Sequence, residues 1–408
     1  MHAQLAVLAV FVFLYSLVSK RLERTVFSGP MIFVAAGFLM GPAVLGWFPG
    51  EEPDQLLHWL ADLTLALFLF IDAAGADLPT LRKRYAIPAR MLLLGLPGTI
   101  ALGFVLAVFM FDALTLYEAA ILATMLAATD AALGKAVVTN PAVPSRLREG
   151  LNVESGLNDG LCVPVLFLFI ALDLGTGEGN GFGLALLAEE LGIGLLVGIG
   201  LTAVGGWLLR ICWRRGWVSD TWVQMTTVAL ALSCFAVAQS LHGSGYIAAF
   251  TGGMLFGFIA RDNTHKLVHA AEGIGETLAL LTWMLFGVAI LGGVLEHATW
   301  AVVVFALLSL TVVRMLPNFL ALAGTGEPAG SRLFLGWFGP RGLASIVFAI
   351  IVLEEGVAGG ELIALIVACT VVFSLILHGV TANPLARWIS TAGRDPTGES
   401  GPAADRTP

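Results

Sequence analysis

Apolar and polar positions alternate along this chain in long blocks, not in the short periods of a soluble fold. Runs of about 20 mostly apolar residues are long enough to cross a bilayer as helices. Thirteen such runs stand out, over 4–19, 29–48, 55–76, 86–112, 116–139, 146–173, 182–212, 220–241, 244–260, 274–294, 299–323, 331–353 and 361–389. The connections are short and leave no room for a soluble domain between spans. The first run has no basic segment before it and ends at Lys20-Arg21, so it reads as a span and not as a cleaved leader. The predicted fold class is an all-α polytopic membrane protein, with a transmembrane domain over residues 1–390. The segment 391–408, rich in Gly, Pro, Ser and acidic residues, is expected to be a disordered tail.

The polar residues between the runs carry a second pattern. Lys20, Arg21 and Arg24 follow the first span, and Glu51, Glu52 and Asp54 the second. Arg82, Lys83 and Arg84 follow the third, while Asp112 and Glu118 flank the fourth connection. The alternation continues through Arg146 and Arg148, Asp173 and Glu178, and Arg214 and Arg215. It resumes with Arg261 and Lys266, Glu296, then Glu354, Glu355 and Glu361, and ends with Arg387 and Arg394. The eighth and eleventh connections add little, with His242 in one and Glu327 and Arg332 in the other. No Lys or Arg falls in an even-numbered connection. Basic connections stay cytoplasmic, which predicts the N-terminus outside and the C-terminus in the cytoplasm.

Thirteen spans divide into six, a linker and six. With the termini on opposite sides, the two six-helix halves are inverted repeats, a common transporter plan. The fifth span of each half is interrupted, by Ala128-Thr129-Asp130 in one and by Phe338-Gly339-Pro340-Arg341-Gly342 in the other. Backbone groups freed at such breaks are tolerated where they line a cavity. Discontinuous crossing helices are therefore expected near 128–131 and 338–342. Two ordinary kinked helices are the plainer alternative.

Composition agrees. Of the 408 residues 58% are hydrophobic and only 12% charged, against about 25% charged in soluble domains. The net charge of −8 says little about partners in a membrane protein, and no basic patch with interleaved aromatics suggests nucleic acid. Cys162, Cys212, Cys234 and Cys369 form no CxxC and no Cys/His cluster, so they read as small buried hydrophobes with no zinc or redox cofactor implied. Trp47, Trp59, Trp213, Trp217, Trp222 and Trp300 fall near predicted interfaces, as belt residues do. Seven histidines sit mainly near span ends, where a pH sensor is a minor alternative to a plain polar role.

The chemistry concentrates between Thr129 and Gly160. Asp130, Glu154 and Asp159 are carboxylates at membrane depth, where an ion or proton pathway is the default reading. On a helix, Ser155 and Asp159 are stacked at i,i+4, and so are Glu154 and Asn158. Asp159 offers an anionic oxygen, Asn158 an amide oxygen and Ser155 a hydroxyl, the hard donors a monovalent cation wants. Burial disfavours the charged form of a carboxylate, so protons compete with the cation for it. A salt-bridged structural aspartate is the alternative.

Asp130 either ligates the ion or caps the N–H groups of the next half-helix, and the electrostatic capping role is favoured. Glu154 needs a counter-charge. Arg314 is the first candidate and Arg341 the second. Asp72 either lines an access path for the cation or is a span-end acid meeting interfacial water. Lys135 either snorkels to the cytoplasmic surface or neutralises Asp130. An aspartyl protease dyad in the membrane is a remote alternative, because neither Tyr-Asp nor Gly-x-Gly-Asp is present at these aspartates. A channel is disfavoured by the absence of anything like a carbonyl-lined filter.

Ala128-Thr129-Asp130, the run from Glu149 to Gly160 and Gly339-Pro340-Arg341-Gly342 resemble the monovalent cation:proton antiporter family, in its NhaP-type sodium/proton exchanger branch. The likeness extends over all spans, including Arg21 through Gly41-Pro42. It implies a homodimer with a dimerisation bundle and a mobile core, working by elevator-like alternating access in a prokaryotic inner membrane. It further implies that Asp159 binds cation and proton in turn, with Thr129 and Ser155 as helping ligands of the monovalent cation. Asn158 marks the Asn-Asp subgroup, typically electroneutral, and Glu154 pairs with a core arginine. The expected function is exchange of a monovalent cation, sodium before potassium or lithium, for a proton, with no cofactor. Potassium/proton exchange on the same scaffold is the alternative. Two positions depart from the family pattern: Ala131 stands where many relatives carry proline, and Lys135 where an uncharged residue is expected.

Overall fold

The fold is taken from a computed structural model, which describes residues 2–22, 25, 27–48, 52–75, 86–130, 133–175, 180–260 and 264–392. Ala131, the loop charges Arg24, Glu51, Arg82, Lys83, Arg84, Glu178, Arg261 and Arg394, and the expected tail from 393 on lie outside the described residues. The described residues are all helical or loop. The helices are α1 (His2–Leu22), α2 (Gly29–Met40), α3 (Glu52–Gly75), α4 (Ala86–Met110), α5 (Leu116–Met125), α6 (Lys135–Val138), α7 (Ser145–Leu174) and α8 (Asn180–Arg214). They continue with α9 (Asp220–Ser240), α10 (Gly245–Ala260), α11 (Thr264–Ala289), α12 (Leu291–His297), α13 (Trp300–Ala321), α14 (Ala329–Trp337), α15 (Leu343–Glu354) and α16 (Gly360–Ala392).

Each apolar run of the sequence lies on a helix, but the helices are not thirteen uniform spans. Among the described residues seven are long and apolar enough to cross a membrane, and α2, α5, α15 and the apolar parts of α9 and α10 are shorter. The run 29–48 ends its helix at Met40, because Gly41-Pro42 stops it and the chain turns. The run 274–294 begins its helix early, at Thr264, and so brings Glu272 into the same helix as Glu276. The fifth and twelfth spans are each split, into α5 and α6 and into α14 and α15.

The helices pack as two layers. One contains α2, α3, α8, α9, α10 and α11; the other contains α4, α5, α7, α13, α14, α15 and α16. In the first layer helices approach backbone to backbone. A Cβ on Gly37 would strike the Met284 carbonyl, and one on Gly253 the Phe70 carbonyl, the close contact that small residues allow between helices in lipid. The layers meet chiefly where α7 packs against α3 and α8, and where α15 packs against α3. The six belt tryptophans are 40% to 83% exposed, as outward-facing residues near helix ends should be.

The second layer has an internal likeness that sequence pattern alone did not reveal. Both α4 and α13 contain a π-helical turn, Met91–Gly95 in one and Ser309–Val313 in the other. Each has a proline four residues beyond a turn carbonyl, Pro97 after Leu93 and Pro317 after Val313. Proline has no N–H to give that carbonyl, so the local hydrogen-bond ladder must widen. The two helices touch at these points, Gly95 against Asn318 and Gly98 against Pro317. They are the fourth spans of the two sequence halves. The π turn of α13 also ends at Arg314, which is 1% exposed and directed into the core.

Candidate ion-binding site at the helix crossing

The two interrupted spans cross and bond to each other at their breaks. The Asp130 N–H donates to the Pro340 carbonyl at 2.8 Å. A break leaves carbonyls free at the end of one half-helix and N–H groups free at the start of the next. Arg341 Nη1 donates to the carbonyls of Ala127 and Ala128, at 2.9 and 3.0 Å, and Ser345 Oγ to that of Met125, at 2.9 Å. The α5 C-terminus is thus met by a cation from the opposite span. In return, Asp130 Oδ2 accepts from the Leu343 N–H at the start of α15, at 3.0 Å. Its Oδ1 accepts from the Leu133 N–H at 3.1 Å. Acid at a helix N-terminus and base at a C-terminus both complement the helix dipole. The sequence pointed Asp130 at its own half-helix; the structure shows it serving both.

Gly342 makes this possible. A Cβ there would overlap the Asp130 carboxylate, and one on Gly339 would overlap the Arg314 guanidinium. Forcing extra atoms into a packed site destabilises by about 1–3 kcal/mol. Gly342→Ala is expected to lower the unfolding free energy of the detergent-solubilised protein by about that amount, while Gly293→Ala, where a Cβ meets nothing within 4 Å, leaves it unchanged.

Facing the crossing is one side of α7. Glu154, Ser155 and Asn158 are buried there, and Cys162 follows one turn on. Arg314 Nη1 and Nη2 grip the two Glu154 oxygens at 2.8 and 3.0 Å, with both side chains 1% exposed. Of the two arginines considered from sequence, Arg314 is therefore the hydrogen-bonded partner of Glu154, and Arg341 gives its Nη1 to the crossing. Asn158 Nδ2 is shared among the Ala127 carbonyl, Thr129 Oγ1 and Glu154 Oε1, at 3.1 to 3.2 Å. Its Oδ1 accepts from the Cys162 thiol at 3.3 Å. Reversing the amide would set oxygen against the Glu154 carboxylate, so the network fixes its orientation. The amide oxygen expected as an ion ligand is turned to Cys162, and Asn158 ties α7 to the break.

Asp159 lies on the neighbouring side of α7. It accepts from the Thr129 backbone N–H, and its Oδ1 is buried with no hydrogen-bond partner among the described residues. A buried polar atom left without a partner is uncommon and asks for a reason. The Thr129 hydroxyl donates to Ser155 Oγ at 3.3 Å, so both hydroxyls sit beside this corner of the break. A cavity of about 210 Å³ begins at Asp159 and is also lined by Asp72, Asp130, Lys135, Glu272 and Glu276. Asp72 packs on Gly156 of α7 and borders this cavity, so it is not a span-end acid remote from the site. The cavity lies on the side of the crossing where α7 and α11 begin.

The structure thus gathers Asp159, Asp130 and Asp72 around one cavity, and places Thr129, Asn158, Glu154 and Arg314 behind it as a bonded support. Sequence reasoning missed Cys162 and Ser345, although each stands four residues beyond a residue it had singled out, Asn158 and Arg341. It also missed Glu272, which lies before the tenth run as read from the sequence, and Glu276, which lies within that run and was given no role.

Known proteins place this architecture. The model of the transmembrane sodium/hydrogen exchanger family matches residues 7–388. A potassium/proton antiporter NhaP of Alkalimonas amylolytica is 24% identical over 377 residues, covering 92% of this chain and 64% of that protein. A potassium/proton antiporter NhaP2 of Shewanella sp. (strain ANA-3) is 23% identical over 385 residues, covering 94% of this chain and 66% of that protein. The chain thus spans just under two thirds of the length of these relatives. Among solved structures, the sodium proton antiporter MjNhaP1 of Methanocaldococcus jannaschii superposes with a TM-score of 0.76 at 20% identity, over 96% of this chain and 100% of that one. The fold is shared with that protein, and the chain, an integral membrane protein, belongs to the transmembrane sodium/hydrogen exchanger family.

Proposed function

We propose that this protein is a secondary antiporter that exchanges a monovalent cation for a proton, one for one, with Asp159 as the group that holds each in turn. The observation that carries this reading is the buried Asp159 Oδ1, without a partner among the described residues, on a side chain that lines a cavity. A carboxylate there is neutralised either by a proton or by a cation, and the two exclude each other. Thr129 and Ser155 supply the nearby hydroxyl oxygens for a desolvated cation. Asp130 and Arg341 act on the binding step through the crossing they hold together. The polypeptide itself does no covalent chemistry, and neither an enzyme nor a resident cofactor is invoked.

The exchange rests on movement of the layer containing the crossing against the layer containing α3 and α11, which carries Asp159 between the two sides of the membrane. The loop charges set the N-terminus outside and the C-terminus in the cytoplasm, so the cavity at Asp159 faces the cytoplasm. The bacterial relatives support a plasma-membrane location, and the first layer supplies a surface for a homodimer. Equal exchange of single charges leaves transport indifferent to voltage. A net charge moved per cycle would couple it to about 2.3 kcal/mol per 100 mV.

Two ions compete for the cation role. Sodium leads on the motif of the crossing, and the matched fold belongs to a protein named a sodium proton antiporter. The names of the relatives found by sequence favour potassium as the second reading. Proteoliposomes holding a pH-sensitive dye decide between them. Sodium is expected to drive proton movement at a lower concentration than potassium, at a rate unchanged when the membrane potential is clamped. Half-saturation by potassium at the lower concentration would replace sodium, and a rate that follows the potential would reject one-for-one exchange.

A further inference from the structure

The cavity leading to Asp159 contains a cation that belongs to the protein. Lys135 opens α6, directly after the break in the fifth span, and its Nζ forms an ion pair with Glu276 of α11. Asp72, Asp130, Asp159 and Glu272 line the same cavity, so Lys135 is the single basic side chain among its described lining residues. Glu272 is itself engaged, by His269 at 3.2 Å. The pair also joins the two layers. Lys135 sits on α6, which packs on α7 and α16 of the layer containing the crossing, whereas α11 packs on α2 and α3 of the other layer.

We propose that Lys135 is a tethered competitor of the transported cation, and that its bridge to Glu276 sets the cation concentration at which exchange runs. Its ammonium and an entering monovalent cation seek the same carboxylates. With Lys135 held by Glu276, the ammonium is kept at the mouth and away from Asp159, but it repels every cation that passes. The lysine is thus a specificity-setting group that never becomes a ligand of the transported ion. This inference rests on the exchange reading above.

Both side chains are half exposed, 56% for Lys135 and 47% for Glu276, so solvent screens the pair. Ion pairs of that exposure change an equilibrium by about two- to fivefold. Lys135→Gln is therefore expected to lower the KM for the driving cation about two- to fivefold, because the repelling charge is gone. Glu276→Gln is expected to raise it by a similar factor, because an attracting charge is lost and the ammonium is released toward Asp159. Lys135→Arg, which keeps the charge, stays within error of wild type.

These constants are measured in proteoliposomes at fixed ionic strength, with choline replacing the driving cation. A merely structural lysine would change the maximal rate or the melting temperature and leave the opposite movement of the two KM values absent. If Lys135→Gln leaves the KM unmoved, or if both neutral variants move it in the same direction, the competitor role is overturned. Wild-type vesicles without any cation-driven proton movement would instead defeat the exchange reading itself, so the two failures are separable.

Discussion

Asp159→Asn is expected to abolish cation-driven proton movement and yet give a protein that unfolds no more readily than wild type. The two halves of this result have one cause. Asparagine keeps the size of the side chain and an oxygen to accept from the Thr129 N–H, so the hydrogen bond the carboxylate makes among the described residues survives. Asp159 belongs to no ion pair among the described residues, and its Oδ1 is left without a partner. The substitution also removes a charge that has Asp130 and Asp72 as like-charged neighbours. Nothing stabilising is lost, and a repulsion is relieved. Asparagine, however, neither takes up a proton nor neutralises a cation, so neither half of the cycle has a place to begin.

The measurement is the dye-quenching rate in proteoliposomes, set beside a melting curve with and without the driving cation. A ligand that binds only the folded protein raises its stability by RT ln(1 + [L]/Kd). The cation is expected to raise the melting temperature of wild type and leave that of Asp159→Asn in place. Transport surviving in the variant would remove Asp159 from the mechanism. A variant that melts well below wild type would show that the carboxylate has a structural partner.

The sequence made the crossing legible because its chemistry is local. Gly339-Pro340 and Thr129-Asp130 interrupt apolar runs, and an interruption of that kind in a membrane span has few physical uses. The stacking of Glu154 with Asn158 followed from helix geometry alone. Partner choice did not. Arg314 and Arg341 both stood in apolar surroundings, and only the spatial crossing of α5 and α15 shows that the guanidinium of Arg341 is taken by the carbonyls of Ala127 and Ala128. The direction of the Asn158 amide was hidden for a similar reason, since it depends on the break at Ala127 and Thr129 as well as on Glu154 and Cys162 of its own helix. The π turns of α4 and α13 depend on where a proline meets its preceding turn, and a count of apolar residues is blind to that.

The second large effect is expected at Glu154 and Arg314, and it is an effect on folding. Both side chains are 1% exposed and joined by two hydrogen bonds at 2.8 and 3.0 Å. Removing one member of such a pair leaves the other charge buried and uncompensated, which costs about 3–5 kcal/mol. Arg314→Met strands the Glu154 carboxylate, with the Asn158 amide as its remaining hydrogen-bond donor among the described residues. Glu154→Gln strands a guanidinium that Gly339 already confines, since no side chain fits between them. Each single variant is expected to lose about 3–5 kcal/mol in a reversible mixed-detergent unfolding titration. Replacing both members by methionine removes both buried charges together, and a well-packed apolar pair is often as stable as the ion pair it replaces. The double variant is therefore expected to recover most of the loss. Its exchange rate should stay low all the same, because Glu154 also accepts from Asn158, which fixes α7 against the Ala127 carbonyl and Thr129, and so places Asp159 at the crossing. Exchange at the wild-type rate in the double variant would show that the pair only stabilises. A single variant as stable as wild type would show that the two charges are not buried against each other.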